Sequence, residues 1–183
     1  MRRVEELIVG GDDSNHAGDA KGEIIAATFS FLHEDSVIQS FPNNRNVQKT
    51  LAWLRNPNRD YKFSLLFSPN FRYSASNLVT TLPMLITNYM EDEDLYPKKL
   101  RIYLDGLLKK GQRAHLRNIF SGERQIESVI VDNFIKKNKN KRGRVQKRPY
   151  CPSVVYYADN IANQLYHQPF GTLLTHRKLF STL

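Results

Sequence analysis

The chain has a single cysteine, Cys151, in 183 residues, so neither an internal disulfide nor a cysteine-based zinc cluster can form within it. Cys151 has no partner histidine in a recognisable arrangement and reads as packing. No segment approaches the roughly 20 apolar residues of a membrane span. Arg2-Arg3 stand near the start, but Glu5-Glu6 follow before an apolar run too short for a signal sequence. Together these absences point to a reducing compartment: the cytoplasm, or the nucleoid in a prokaryote. No internal repeat and no Gly/Ser-rich linker divides the sequence. A content of 40% hydrophobic and 11% aromatic residues is enough for one buried core, so one domain over residues 1–183 is expected.

Acid is missing from one stretch altogether. Lys136, Lys137, Lys139, Lys141, Arg142, Arg144, Lys147 and Arg148 crowd into a loop at about 136–148 with no carboxylate among them. The formal charge is +9, and setting those eight cations aside leaves +1 for the rest. The basic character is therefore a local device. Such a run binds phosphates by charge neutralisation and counterion release, or else is a solvated loop that keeps the protein soluble.

What is present is organised around Leu7-Ile8-Val9-Gly10-Gly11-Asp12-Asp13-Ser14-Asn15-His16-Ala17. Three apolar residues anchor a buried strand, and the glycine pair lets the backbone bend or approach another element closely where the strand ends. Adjacent strand residues face opposite ways, so Asp12 and Asp13 aim at one point only if the glycines distort the pleat. The same residues also suit a solvated turn. His16 could position a water or a phosphate, or be structural.

Residues 22–32 are continuously apolar with β-branched and aromatic side chains, as in a central strand, and the short loop before them predicts antiparallel pairing with the first. A helix capped by Asn46 is expected over 47–54. Alternation of Tyr61, Phe63, Leu65 and Phe67 with Lys62, Ser64, Leu66 and Ser68 predicts a half-exposed third strand. Phe71, Arg72 and Tyr73 form a loop that stacks bases or packs locally. A helix follows over 75–90 with Leu78, Leu82, Leu85, Ile86 and Tyr89 on one stripe, Pro83 as a kink, and no acid. The stretch 91–94 reads as a solvated acidic turn without chemistry.

Residues 100–106 predict a fourth strand ending on Asp105. Asp105-Gly106 could turn a hairpin, but Leu116, Ile119 and Phe120 at helical spacing favour a helix next. With a strand at 128–134 this gives a parallel crossover. The last helix, 153–165, carries Val154, Ala158, Ile161, Ala162 and Leu165 on one stripe, with Asp159 beside small neighbours that permit close approach to a sheet. The tail 170–183 suits a short amphipathic helix. The fold class is α/β: a mixed sheet of a three-strand antiparallel meander plus two parallel strands, flanked by helices.

In such a sheet Asp12, Asp13, Asp105 and Asp159 are expected to converge where the topology switches. Clustered carboxylates must be protonated or metal-bound, and hard oxygen ligands select Mg2+ or Mn2+. Two such ions about 3.5 to 4 Å apart would serve hydrolysis at phosphorus.

These residues resemble the ribonuclease H-like superfamily. Gly10-Gly11-Asp12-Asp13 is similar to the Asp-Glu opening of type 2 ribonuclease H, and Tyr103-Leu104-Asp105-Gly106 to the family's Asp-Gly at the fourth strand. The stretch from Val155 to Ala162, with Ala158-Asp159-Asn160-Ile161-Ala162 at its end, looks like the Ala-Asp-x-Ile/Leu-Ala helix of uncharacterised proteins with this fold. The resemblance implies metal ligation by Asp12, Asp105 and Asp159, with Asp13 a second ligand or water-orienting group; Asp132, mid-strand, is a poorer stand-in. Two features depart from it. The acid-free helix 75–90 cannot supply the type 1 glutamate, and Ser14-Asn15-His16 replaces the type 2 Gly-Arg-Gly that recognises RNA–DNA junctions. The expected function is a metal-dependent nuclease acting on DNA or RNA without membrane association; the alternative is a non-catalytic nucleic-acid-binding module on the same fold.

Overall fold

The computed structural model describes residues 2–14, 22–31, 61–66, 75–105, 108–123, 125–134, 153–169, 171–172 and 178–179. In order these form β1 (Arg2–Asp13), β2 (Glu23–Ser30), β3 (Tyr61–Leu66), α1 (Ala75–Asp92), β4 (Leu95–Asp105), α2 (Lys110–Ser121), β5 (Ser128–Phe134) and α3 (Ser153–Tyr166). The strands make one sheet in the order β3-β2-β1-β4-β5. β3, β2 and β1 pair antiparallel, whereas β1, β4 and β5 pair parallel. This is the mixed α/β sheet expected from the sequence. Asp105-Gly106 starts no hairpin: the chain passes through α2 and returns as β5 beside β4, giving the parallel crossover.

Helices lie on both faces. α1 and α2 cover one with Leu78, Leu82, Leu85, Ile86, Leu116 and Phe120, packed against Leu7, Val9, Ile25, Ala27, Ile102 and Leu104. Phe29 and Tyr89 stack face to face within this core, with ring centroids 3.7 Å apart. α3 covers the other face, setting Ile161, Ala162 and Leu165 against Ile24, Ala26, Tyr61 and Phe63. α1 runs on through Pro83. A proline inside a helix costs about 3 kcal/mol, but each large apolar side chain that α1 buries contributes about 1.5–3 kcal/mol. Packing therefore outweighs the break.

Three expectations are corrected. β1 is a 12-residue strand that carries Gly10, Gly11, Asp12 and Asp13 within it, not a short run ending on the glycines. β3 is buried on both faces where the alternation predicted half exposure, because the polar positions Lys62 and Ser64 lie beneath α1 while Tyr61 and Phe63 lie beneath α3. The acidic stretch 91–94 is not merely a solvated turn either: Glu91 and Asp92 close α1, and Asp92 pairs with the ammonium of buried Lys62. In the tail, Leu179 bridges parallel to Phe63, whose N–H donates to the Lys178 carbonyl at 3.1 Å. The helix expected over 47–54, the aromatic loop 69–73, Cys151 and the basic loop lie outside the described residues.

α3 is seated by one close approach. A Cβ built on Gly10 would overlap the Val154 carbonyl, and the Thr28 hydroxyl donates to that same carbonyl oxygen at 2.7 Å. Gly10→Ala must therefore push α3 off the sheet, and overpacking of this kind costs about 1–3 kcal/mol. Gly111→Ala, in open space on α2, should be neutral or stabilising by up to about 1 kcal/mol. Denaturant titration of both variants checks the contrast, and equal stabilities would contradict the seating role of Gly10.

Candidate functional site

β1 and β4 run in parallel to the same end of the sheet. Gly10 pairs with Tyr103 and Gly11 with Leu104, so the next residue on each strand is an aspartate, Asp12 and Asp105. Asp105 in turn pairs with Phe134 at the end of β5, two residues before the basic loop begins. β2 starts and α1 begins at this same end, because β2 runs against β1 and β3 runs against β2. The sheet changes direction here: β1 has an antiparallel neighbour on one side and a parallel one on the other.

Pairing of β1 with β2 is unbroken through the glycines and the acids, with Gly10 opposite Thr28, Gly11 opposite Ala27, Asp12 opposite Ala26 and Asp13 opposite Ile25. Ser14 extends it, its N–H donating to the Ile24 carbonyl at 2.9 Å and its hydroxyl accepting from the Ile24 N–H at 3.1 Å. The pleat is therefore regular, and Asp12 and Asp13 face opposite ways. The glycines serve close approach: Gly10 faces α3, and a Cβ on Gly11 would meet Leu104 and Leu82 on the α1 side. By the same alternation Asp12 faces α3 and Asp13 faces α1.

On the α3 side, Asp12 is 5% exposed, and its Oδ1 accepts from the Asp13 N–H at 2.9 Å. α3 starts over Gly10 at Val154 and reaches Ile24 and Ala26 with Ile161 and Ala162. Asp159 falls between these two contacts and is half-buried. Asp12 and Asp159 thus belong to one face of the sheet, and β4 ends beside it at Asp105. Asp132 is exposed on β5, level with Tyr103. The Asp105 side chain, His16 and the eight cations of the basic loop lie outside the described residues. Among those described, no group of three or more His, Cys, Asp or Glu side chains stands close enough to hold a metal ion.

On the α1 side the structure reveals a partner that the sequence reading passed over. Asp13, 8% exposed, lies beside Glu23, which is fully buried as the first residue of β2. The Asn77 amide of α1 donates to Glu23 Oε2 at 2.6 Å. Burial, then the hydrogen bond and charge of Asp13, push the Glu23 carboxyl up from the usual 4.5 to about 8, against the opposing pull of Asn77. At neutral pH Glu23 holds a proton that it shares with Asp13. The available signal was an acid directly after Gly22 at the head of an apolar strand that runs against one ending in Asp13.

No protein-family model matches the sequence, and no curated protein matches it. Among solved structures, the chain is similar to ribonuclease H2 from Pyrococcus horikoshii OT3, with a TM-score of 0.46 and 16% identity over 87% of this chain and 72% of that one. It is also similar to Kluyveromyces polysporus Argonaute with a guide RNA, with a TM-score of 0.36 and 14% identity over 77% of this chain and 16% of that one.

The Glu23 carboxyl gives a stability prediction. Its folded pKa is raised, so its stabilising contribution is complete below about pH 4.5 and is lost as pH rises toward 8. Wild type should lose on the order of a few kcal/mol across that window. Glu23→Gln, which keeps the shape and a donor toward Asp13, should flatten the slope and be the more stable protein at pH 8. Denaturant midpoints measured from pH 5 to 8.5 check this, and parallel profiles for the two proteins would refute it.

Proposed function

We propose that this protein is a ribonuclease H-like nuclease that hydrolyses nucleic-acid phosphodiester bonds with the help of Mg2+ or Mn2+. The observation that carries the proposal is the adjacency of Asp12 and Asp105 at the ends of parallel strands, with Asp12 on the face that α3 crosses with Asp159. Open α/β sheets bind ligands outside the carboxyl ends of their strands, where the topology switches, and these residues stand there.

The donor set fits a hard divalent cation, since carboxylate oxygens suit Mg2+ and Mn2+, and a nearly buried Asp12 gains from a neighbouring positive charge. Asp12, Asp105 and Asp159 would hold it; Asp13, expected from the sequence to join them, is turned to the α1 side by the regular pleat and would not. Bound there, such ions would supply Lewis-acid activation of a water and charge stabilisation at the leaving oxygen. The chain's own contributions are separate from that. Helix α3, locked on Gly10, fixes the Asp159 backbone relative to Asp12, and burial of Asp12 keeps bulk water off its carboxylate. The basic loop, which follows β5 at this sheet end, would neutralise backbone phosphates and release counterions. His16, two residues after Ser14 in the sequence, would orient a water or a phosphate oxygen. The opposite charges occupy different segments, so substrate binding and metal binding do not compete.

Asp105→Asn tests the reading. Metal charge stabilisation is worth several kcal/mol, so cleavage of a panel of RNA, DNA, hybrid and branched substrates with Mg2+ or Mn2+ should fall on the order of 10³-fold. Binding, followed by fluorescence anisotropy, should be unchanged or tighter because a negative charge is removed. A wild type that binds with steep salt dependence yet never cuts would leave a non-catalytic nucleic-acid-binding module instead.

A further inference from the structure

Helix α2 carries a second run of cations, which the near-neutral charge sum outside the basic loop conceals. From Gly106 to Gly122 the sequence holds Lys109, Lys110, Arg113 and Arg117 and no Asp or Glu. Lys110, Arg113 and Arg117 recur at i, i+3 and i+7, so they form one stripe along the helix, with Lys109 at its head. Lys109, Lys110 and Arg117 are exposed and Arg113 is half-buried. Among the described residues no carboxylate pairs with any of the four, whereas Arg3, Lys62, Lys98 and Arg101 each have one.

No packing role accounts for these charges. Leu116 and Phe120 bury the inner side of α2 in the core, and Leu108 ties its start there. The cations oppose the helix instead. Lys109 with Arg113, and Arg113 with Arg117, are like charges four residues apart, and Lys109 and Lys110 stand at the positive end of the helix dipole. Even the cap avoids acid: the Gln112 side chain accepts from the Lys109 N–H at 2.9 Å, where a glutamate would serve the cap equally and complement the dipole better. An anion lying along the stripe would answer all of these charges at once.

A polyanion of regular spacing fits it. Lys110 to Arg117 covers about 10.5 Å of helix axis, the rise of about three nucleotides in one strand of a duplex. A lipid surface fits less well, because an interfacial helix inserts its apolar face. In α2 that face is already buried, and Ile119 is the one large apolar residue it exposes.

We propose that the α2 stripe of Lys110, Arg113 and Arg117, headed by Lys109, binds the sugar–phosphate backbone of a nucleic acid that extends beyond the Asp105 end of the sheet. α2 starts five residues after Asp105 and packs against β5, so the track begins at the sheet end and leads away along the α2 flank. The inference rests on the nucleic-acid partner of the nuclease reading and not on its chemistry. It makes the substrate long, since a dinucleotide would reach the acids without engaging α2.

The test is binding of the full chain to labelled DNA duplex, RNA–DNA duplex and single strands, in EDTA across a KCl series, followed by fluorescence anisotropy. The proteins are wild type, the triple variant Lys110→Gln/Arg113→Gln/Arg117→Gln, Gln112→Glu, and the loop variant Lys141→Gln/Arg142→Gln. Each lost phosphate contact lowers the slope of log K against log salt by about 0.9 on a duplex, so the triple variant should lose roughly two to three units of slope and at least about tenfold in affinity at low salt. Gln112→Glu keeps the cap and adds one negative charge to the cationic first turn. It should weaken binding while its denaturant midpoint equals or exceeds that of wild type, an outcome that loss of fold cannot produce. Unchanged slope and affinity in both α2 variants, with binding weakened in the loop variant, would overturn the proposal and leave the nuclease reading standing. Tighter binding to phosphatidylserine vesicles than to any of the nucleic acids, lost in the triple variant, would overturn it in favour of a lipid surface. A wild type that binds none of the nucleic acids at low salt would overturn both readings. Weakened binding in the α2 variants, without cleavage by wild type in Mg2+ or Mn2+, would uphold the α2 surface and sink the nuclease.

Discussion

Helix α3 touches the backbone of β1 where Gly10 has no side chain, and the placement of everything on that face follows from this approach. The Val154 carbonyl occupies the space a Cβ would need and accepts the Thr28 hydroxyl of the neighbouring strand. One glycine and one hydroxyl therefore fix where the helix begins. Its apolar stripe then fixes where it goes, across β2 to β3 by way of Ile161, Ala162 and Leu165. Asp159 is carried between these two anchors as a passenger of the packing. Position along the helix, not local preference, brings it over the sheet end that holds Asp12.

Burial of β1 on both faces gives its two aspartates different surroundings. Close-packed helices exclude water from both sides of the sheet, so a carboxylate at the strand end meets low dielectric whichever way it points. Asp12 lies on the α3 side, nearly buried, with its Oδ1 accepting from the Asp13 N–H. Asp13 meets Glu23, and the pair responds by holding a proton at neutral pH. Two adjacent residues of one type thus sit in separate electrostatic compartments, divided by the sheet itself. The regular pleat through Gly10 and Gly11 is the cause, since any distortion would have merged them.

Much of the architecture could be read from the amino-acid pattern. The strand at 128–134, the crossover after Asp105, the antiparallel pairing of the first two strands and the stripes of α1 and α3 all follow from hydrophobic periodicity. That signal is strong because each element buries one well-defined face. The exposure of β3 was misread because alternation reports polarity, and Lys62 and Ser64 are polar yet lie under α1. The length of β1 was underestimated because the strand was read from the apolar run Leu7-Ile8-Val9 alone, whereas Arg2, Arg3, Val4 and Glu6 extend it by pairing with β4 through the backbone.

Chemically active residue types were conspicuous along the chain: the two aspartates after the glycines, Asp105 at a strand end, Asp159 among alanines. Composition also set the charge asymmetry of the basic loop and the absence of disulfides. Which carboxylates meet was decided by the tertiary structure alone. Strand register sent Asp12 and Asp13 to opposite faces, and the antiparallel return of β2 brought Glu23, ten residues away along the chain, against Asp13 and Asn77. Pairing of this kind depends on where backbones are laid side by side, and a local pattern of side chains carries no record of it.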